Sequence, residues 1–417
     1  MNTLQLLLFY PESNCKFKKI SNMKKYLFTK VTITAALLLS LIPANNVCSI
    51  PAFARKYQIS CQVCHSPAMP RLKGFGEEFA GNGFRLTEYE SPRYFIQTGD
   101  DKLSLFRELP VAFRLDGHAM LNFDNSGKAE FASPYILKIL SGGELSDKLS
   151  YYFYFLMTEG GEIVGVEDAF LMYRDLLKTG INFYIGQFQA SDPLFKGELR
   201  YTMEGYQIYE TTPGNSHANL KYERGIILEK PFSTGTTLQM EVLNGCGLGQ
   251  GVFDTDKNKN LMFRLSQEIG KNFFIGLFAY SGKEALQDTL NAFNNKLLMY
   301  GPDIRINFDD KFVLNAQYMY RADSRVFDAD DGLNYEDVKT QGGFAELIYS
   351  PKGDMSKWYL TGLFNWVDSD VDALDYTSAT LHAGYLLRRN VRLVSEFTYT
   401  LSGTKYGKVN VGFVSAF

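Results

Sequence analysis

The chain is poor in the side chains that usually hold metals and cofactors. Its 417 residues include only 4 His, 5 Cys and 2 Trp. Three of these scarce ligands, Cys61, Cys64 and His65, stand together near the start, and no second Cys/His cluster exists to complete a zinc tetrahedron with them. The remaining cysteines, Cys15, Cys48 and Cys246, are scattered, which excludes a disulfide framework and leaves Cys246 as a loop thiol. No basic run follows the N-terminal segment and the net charge is −3 with both signs interspersed, so nucleic acid is not an expected partner. Composition is neither that of a helical membrane protein nor that of a disordered chain. Aromatic residues are abundant instead: 26 Tyr and 33 Phe, a composition suited to strands and to membrane-interface belts.

The first twenty-two residues carry no clear pattern. Met23-Lys24-Lys25-Tyr26 followed by "LFTKVTITAALLLSLIP" has the charged head and short apolar core of a secretory signal, too short to span a bilayer. Met23 is therefore a candidate start of translation. Val47 and Ser49 offer one cleavage site and Ala52-Phe53-Ala54 a second, and either cut retains Cys61 and Cys64. Residues 1–49 are read as leader and signal peptide.

Residues 50–104 form the next segment, centred on Cys-Gln-Val-Cys-His. In a c-type site two thiols bond to the haem edge and the adjacent histidine ligates the iron, so Cys61 and Cys64 are the expected attachments of one covalent haem c and His65 its proximal ligand. A redox dithiol is the rival reading, but the βαβ pattern that accompanies such motifs is missing. Leu72, Phe75 and Phe79 fall on one helical face that Gly81 and Gly83 would end. That face serves either to wrap the haem or simply to pack a linker. Met69 follows His65 too closely to reach the opposite side of a haem without a sharp loop.

Residues 105–417 read as a transmembrane antiparallel β-barrel. From Leu109 onward, apolar and polar residues alternate in segments of about ten. Phe113, Leu115, Ala119, Leu121 and Phe123 form one face, against Arg114, Asp116, His118, Asn122 and Asp124. The split recurs at Leu261, Phe263 and Leu265, through Phe312–Tyr320, and at Val391, Leu393, Phe397 and Tyr399. Short turns such as Gly270-Lys271-Asn272, Asp309-Asp310-Lys311 and Arg388-Arg389-Asn390 join neighbouring runs, and longer Gly/Asp/Asn-rich stretches alternate with them. Roughly sixteen such segments fit the even strand number of bacterial outer-membrane barrels, and a lumen of that size admits a plug. The ending "VNVGFVSAF" alternates up to Phe417, as the last strand of such barrels does. Asp254, Asp256, Asn258 and Asn260 look like half a calcium loop but lack its glycine and terminal glutamate, which favours an exposed turn. Strand parity turns His118 and Met120 toward the lumen on the first strand, making them the candidate distal iron ligands. His382 also points inward, and His217 lies in a loop.

The haem segment is too small for a core of its own, so it is expected to pack into or against the barrel as a plug. This organisation, with "PAFARK", Cys-x-x-Cys-His and "PRLKGFGEEFAGNGFRL", resembles the fused outer-membrane cytochrome–porins, a family that includes iron-oxidising outer-membrane cytochromes. The resemblance implies electron passage across the bacterial outer membrane through the barrel-enclosed haem. It also implies a periplasmic electron-transfer protein and an extracellular donor or acceptor as partners. No residue identifies iron as the donor, and no separate catalytic constellation marks an enzyme. The alternatives are a solute porin with a structural or regulatory haem and a dithiol or metal-binding porin.

Overall fold

The computed structural model describes residues 52–86, 95–96, 105–106, 109–123, 127–160, 162–248, 254, 256–329, 332–403 and 405–417. Contacts divide the chain into Met1–Ser49 and Ile50–Phe417. The expected signal peptide core, its Val47/Ser49 cleavage site, Cys15 and Cys48 lie outside the described residues, whereas the second candidate site, Ala52-Phe53-Ala54, lies within them.

Two short helices, Ala52–Tyr57 and Gly74–Gly81, flank a single 3-10 turn, Cys61–Val63. A two-stranded ladder, β1 (Phe95–Ile96) with β2 (Leu105–Phe106), follows. The rest is one closed antiparallel barrel of sixteen strands. In chain order these are β3 (Val111–Asn122), β4 (Ala129–Glu144), β5 (Leu149–Glu159), β6 (Gly165–Leu176), β7 (Ile181–Gln189), β8 (Tyr222–Pro231), β9 (Thr236–Leu243) and β10 (Asn260–Ile269). They continue through β11 (Phe273–Gln287), β12 (Ala292–Phe308), β13 (Phe312–Asp328), β14 (Leu333–Tyr349), β15 (Trp358–Ser369), β16 (Tyr376–Arg388), β17 (Val391–Thr400) and β18 (Tyr406–Ala416). Every strand pairs with its sequence neighbour, and β18 closes on β3 with Val411 opposite Ala119 and Ala416 opposite Arg114.

The period-two alternation appears directly as burial. Leu261, Phe263 and Leu265 are exposed while Met262, Arg264 and Ser266 between them are buried, and β12, β16 and β17 repeat the pattern. Parity on β3 is as expected too: Phe113 and Leu121 face outward, and Asp116 and His118 are buried inward past a bulge. Two expectations need correction. The connections at the end remote from the N-terminus of β3 are not uniformly long, because β11 to β14 extend as strands of 15 to 17 residues and take up the length themselves. Nor is the lumen face wholly polar: Phe278, Tyr280, Leu297, Met299, Phe344 and Leu363 point inward and are buried.

What covers those inward apolar residues is the connection 190–221 between β7 and β8, which folds into the barrel instead of lying on its rim. Leu194, Phe195, Tyr206, Ile208, Tyr209 and Leu220 pack into the same cluster, with Tyr206 stacked 3.9 Å from Phe344. Polar anchors fix the segment around the wall. Glu284 on β11 accepts from Ser216 Oγ at 2.6 Å and from the His217 and Ala218 amides at 2.8 and 2.9 Å. Arg321 on β13, held by Asp323, donates to the Ala218 carbonyl at 2.7 Å. Asn365 on β15 donates to the Gly205 carbonyl at 3.0 Å, and Glu396 on β17 accepts from the Met203 and Glu204 amides at 2.8 and 3.1 Å. Backbone groups that would be orphaned inside the barrel are thereby satisfied.

Candidate functional site

The segment that carries Cys61, Cys64 and His65 caps one end of the barrel, the end where β3 begins and β18 finishes. Gln62 donates to the Asp354 carbonyl at 2.7 Å, Lys73 pairs with the Asp354 carboxylate, and Lys56 pairs with Glu144 at 3.2 Å. Arg55 donates to the Val111 carbonyl at 2.7 Å and Arg305 pairs with Glu77 at 2.6 Å. Asp354 lies in the β14–β15 connection, and Glu144 ends β4.

Locally the motif is wound tightly. The Ser60 side chain caps the turn Cys61–Val63, and the His65 amide donates to the Cys61 carbonyl at 2.9 Å. Gly76 lets the following helix sit on this turn, because a Cβ there would stand 2.3 Å from the Cys64 carbonyl oxygen. The expected apolar face is therefore rearranged. Phe79 is buried beside Gly76, but Phe75 is exposed at 42%, and Leu72 precedes the helix, bridged to His65. Gly76 takes the place against the motif that the spacing had assigned to larger side chains.

Cys61, Cys64 and His65 line one cavity of about 560 Å³, bounded by the motif segment on one side and on the other by residues 192–199 and side chains of β3 to β9, β11, β12 and β18. Such a volume lies within the range of cofactor sites. Aromatic rings form part of its wall in a chain: Phe53 on Phe84 at 5.3 Å, Phe84 on Tyr152 at 4.9 Å, Tyr152 by Phe170 at 5.6 Å and Phe170 by Tyr184 at 5.8 Å. Opposite the motif the wall is charged but internally paired. Lys196 lies 3.0 Å from both Asp168 and Asp192, and Lys138 lies 2.8 Å from Glu198, whose Oε2 also accepts from Tyr154 at 2.9 Å. Burial pushes the Asp192 carboxyl up to about 7 against the pull of Lys196.

His65 Nδ1 lies 3.2 Å from the Pro70 carbonyl and 3.1 Å from that of Arg71. Two carbonyl acceptors require the proton on Nδ1, which leaves the Nε2 lone pair for a ligand. Burial, partly offset by those carbonyls, lowers the imidazole pKa and keeps it neutral. Burial raises both Cys61 and Cys64, and neither is in a disulfide. The donor set fits a c-type haem: two thiols and one neutral, oriented imidazole on a single cavity whose wall is part aromatic and part paired charge. Among the described residues no group of three or more His, Cys, Asp and Glu could hold a bare metal ion.

The proposed distal ligands are not brought to this cavity. Ala112, Phe113 and Arg114 line it, whereas His118 and Met120 do not. From Arg114 to His118 the strand advances roughly 13 Å away from the motif, at ~3.3 Å per residue. Met69 does line the cavity. His217 lies in the inward-folded connection, with its Nδ1 at 2.9 Å from the Asn215 carbonyl, and His382 pairs with Glu396 at 3.0 Å. Cys246 lies in the β9–β10 connection with its thiol directed at the Gly247 carbonyl. The half calcium loop is a turn there whose carboxylates serve neighbouring amides: Asp254 accepts from Asp256 N at 3.0 Å and Asp256 from Asn258 N at 2.6 Å.

Sequence reading missed the charge groups Lys138–Glu198 and Lys196–Asp168–Asp192, because Glu198, Asp192 and Lys196 come from the connection 190–221 and their partners from the strands. A signal was present: Leu194, Phe195, Leu199, Tyr201, Tyr206, Ile208 and Tyr209 are too apolar for a rim loop.

No family model matches the chain, and no curated protein matches it. Solved structures do. A loop-deletion variant of OmpT, an outer membrane protein of Vibrio cholerae, matches with a TM-score of 0.52 at 11% identity, covering 74% of this chain and 99% of that one. The anion-selective porin from Comamonas acidovorans matches at 0.51 and 14%, with 74% and 99% covered, and Salmonella typhi OmpF in complex with daunomycin at 0.56 and 10%, with 74% and 97% covered. At these identities the likeness is one of fold. The outward faces of the strands, clad in Phe, Leu and Ile, form an apolar surface far larger than a soluble protein tolerates. The chain is a sixteen-stranded porin-type barrel of the bacterial outer membrane.

Proposed function

We propose that this barrel is an outer-membrane cytochrome that carries one haem c on Cys61 and Cys64, with His65 as proximal ligand, and passes electrons across the outer membrane. The observation that carries the reading is the orientation of His65. Its Nδ1 is tied to two carbonyls and its Nε2 is left free, on the same cavity that both thiols line. A haem c supplies one-electron redox chemistry at iron when bound. The chain's own residues do the rest: the turn Cys61–Val63 fixes the spacing of the thiols, the carbonyls of Pro70 and Arg71 orient the imidazole, and Phe53, Phe79, Phe84 and Tyr152 keep water from the cavity. Raised thiol pKa values argue against a reactive dithiol, whose thiolate must form near neutral pH. The segment sits at the end closed mostly by short turns, the periplasmic end of such barrels, so a periplasmic electron-transfer protein is the partner there and a donor or acceptor outside the cell completes the path.

The test is direct. Cys61→Ser with Cys64→Ser is expected to abolish haem that survives denaturing electrophoresis while the barrel still assembles. A double variant that still stains for covalent haem would refute the assignment. The rival reading, a solute porin, rests on the fold likeness. It predicts porin-scale conductance in planar bilayers, whereas the cluster around Tyr206, Ile208 and Phe344 fills the lumen with apolar side chains.

A further inference from the structure

The barrel encloses a second, smaller cavity of about 60 Å³, whose lining includes His118, Arg200, His382 and Arg392. The carboxylates around it are engaged. Asp116 takes Nε and Nη2 of Arg114 at 2.9 and 2.5 Å, Glu198 takes Lys138 and Tyr154, and Glu396 takes His382 Nδ1 and the Met203 and Glu204 amides. Glu159, also on the lining, is solvent-exposed. The nitrogens are not engaged: Arg200 Nε, Arg392 Nε, His118 Nδ1 and His382 Nε2 are all buried without a partner. Arg392, His382 and His118 are 4%, 1% and 5% exposed. Arg200 spends its other nitrogens on the Gly197 and Met203 carbonyls, and Arg392 gives Nη1 to the Tyr359 hydroxyl. Neither guanidinium has an ion-pair partner among the described residues.

An unpaired buried donor is costly, more so when charged. Two buried, unpartnered guanidinium nitrogens on residues lining one void, with the carboxylates around it either engaged or exposed, describe a cradle for a guest that accepts hydrogen bonds. The two guanidinium Nε–H groups are obligate donors, whereas His382, whose Nδ1–H is held by Glu396, presents Nε2 as an acceptor and adds nothing to the hold on an anion. The space exceeds the ~10–15 Å³ that one water needs and is far below what an organic solute needs. A guanidinium edge with its Nε free matches two oxygens of one anion.

We infer that this cavity binds one small oxyanion, held chiefly by Arg392 and Arg200. Two sources carry that chemistry: a free inorganic oxyanion, or a carboxylate of the haem itself, since Arg114, Glu198 and Val414 line both cavities. Only the second source rests on the proposed haem.

Equilibrium dialysis of the purified full-length protein in detergent against labelled inorganic phosphate separates them. Uptake near one equivalent, weakened at least tenfold by Arg392→Gln and by Arg200→Gln but not by Lys148→Gln at a remote turn, establishes the free-anion site. Heat-modifiable mobility checks that each barrel has folded, and Arg392→Lys replaces any variant that has not. If phosphate is not taken up, a haem midpoint potential lowered by Arg392→Gln, which removes a positive charge, assigns the site to the haem carboxylate. Uptake that both arginine variants retain, or neither uptake nor a potential shift, overturns the inference. Because the phosphate arm needs no haem, a chain that proves haem-free still decides it.

Discussion

At the scale of single residues, the motif Cys61, Cys64 and His65 was legible because its spacing is contained in five consecutive residues and does not depend on the fold around it. His118 was legible as inward-facing because parity on a strand is strict, but its height in the barrel was not, because alternation carries no information about level. His118→Ala and Met120→Ala are therefore each expected to leave the visible spectrum of the haem protein unchanged, since neither side chain lines the Cys61–His65 cavity. A shifted Soret band in either variant would place that residue at the iron. Asp192 gives a second prediction. Burial raises its carboxyl from the ordinary aspartate range to about 7, so the folded chain keeps a proton there that the unfolded chain loses near pH 4. The stability this contributes is complete below that lower value and is lost as pH rises through about 7. The thermal midpoint followed by circular dichroism should fall from pH 5 to pH 8, and Asp192→Asn, which has no charge to acquire, should flatten the slope. Equal slopes in the two proteins would rule out Asp192 as the titrating group.

At the scale of elements, fifteen hairpin pairings and the closing pair follow from alternation and turn chemistry, both visible in the chain. The inward fold of residues 190–221 was not, because nothing local distinguishes an apolar loop that enters a lumen from one that covers a rim. Its apolar side chains match inward residues contributed by strands far apart in sequence, such as Phe278 and Phe344. Removing part of that fit should open the barrel. Ile208→Ala is expected to cost roughly 2–5 kcal/mol of stability, and Tyr206→Ala with Ile208→Ala should raise single-channel conductance in planar bilayers well above wild type. If the wild-type barrel already conducts at the level of the double variant, this segment is not the barrier.

At the scale of the whole molecule, the barrel is held shut where its last residue meets its first strand. Phe417 exchanges backbone hydrogen bonds with Phe113 at 2.6 and 2.9 Å and stacks on its ring at 5.8 Å. Deleting Phe417 should lower the yield of heat-modifiable protein in the outer membrane, and wild-type yield would show that the seam closes without it. The position of the haem motif has a further consequence, one of timing. Both thiols face a cavity whose far wall is barrel, beneath a segment clamped by Lys56–Glu144, Lys73–Asp354 and Arg305–Glu77. If these thiols carry haem as proposed, an enzyme that attaches it must reach both sulfurs before the segment folds, so attachment has to precede closure: cofactor first, membrane second. If the attachment machinery is induced only after the barrel has assembled, protein already in the membrane should stay colourless while newly exported chains acquire haem.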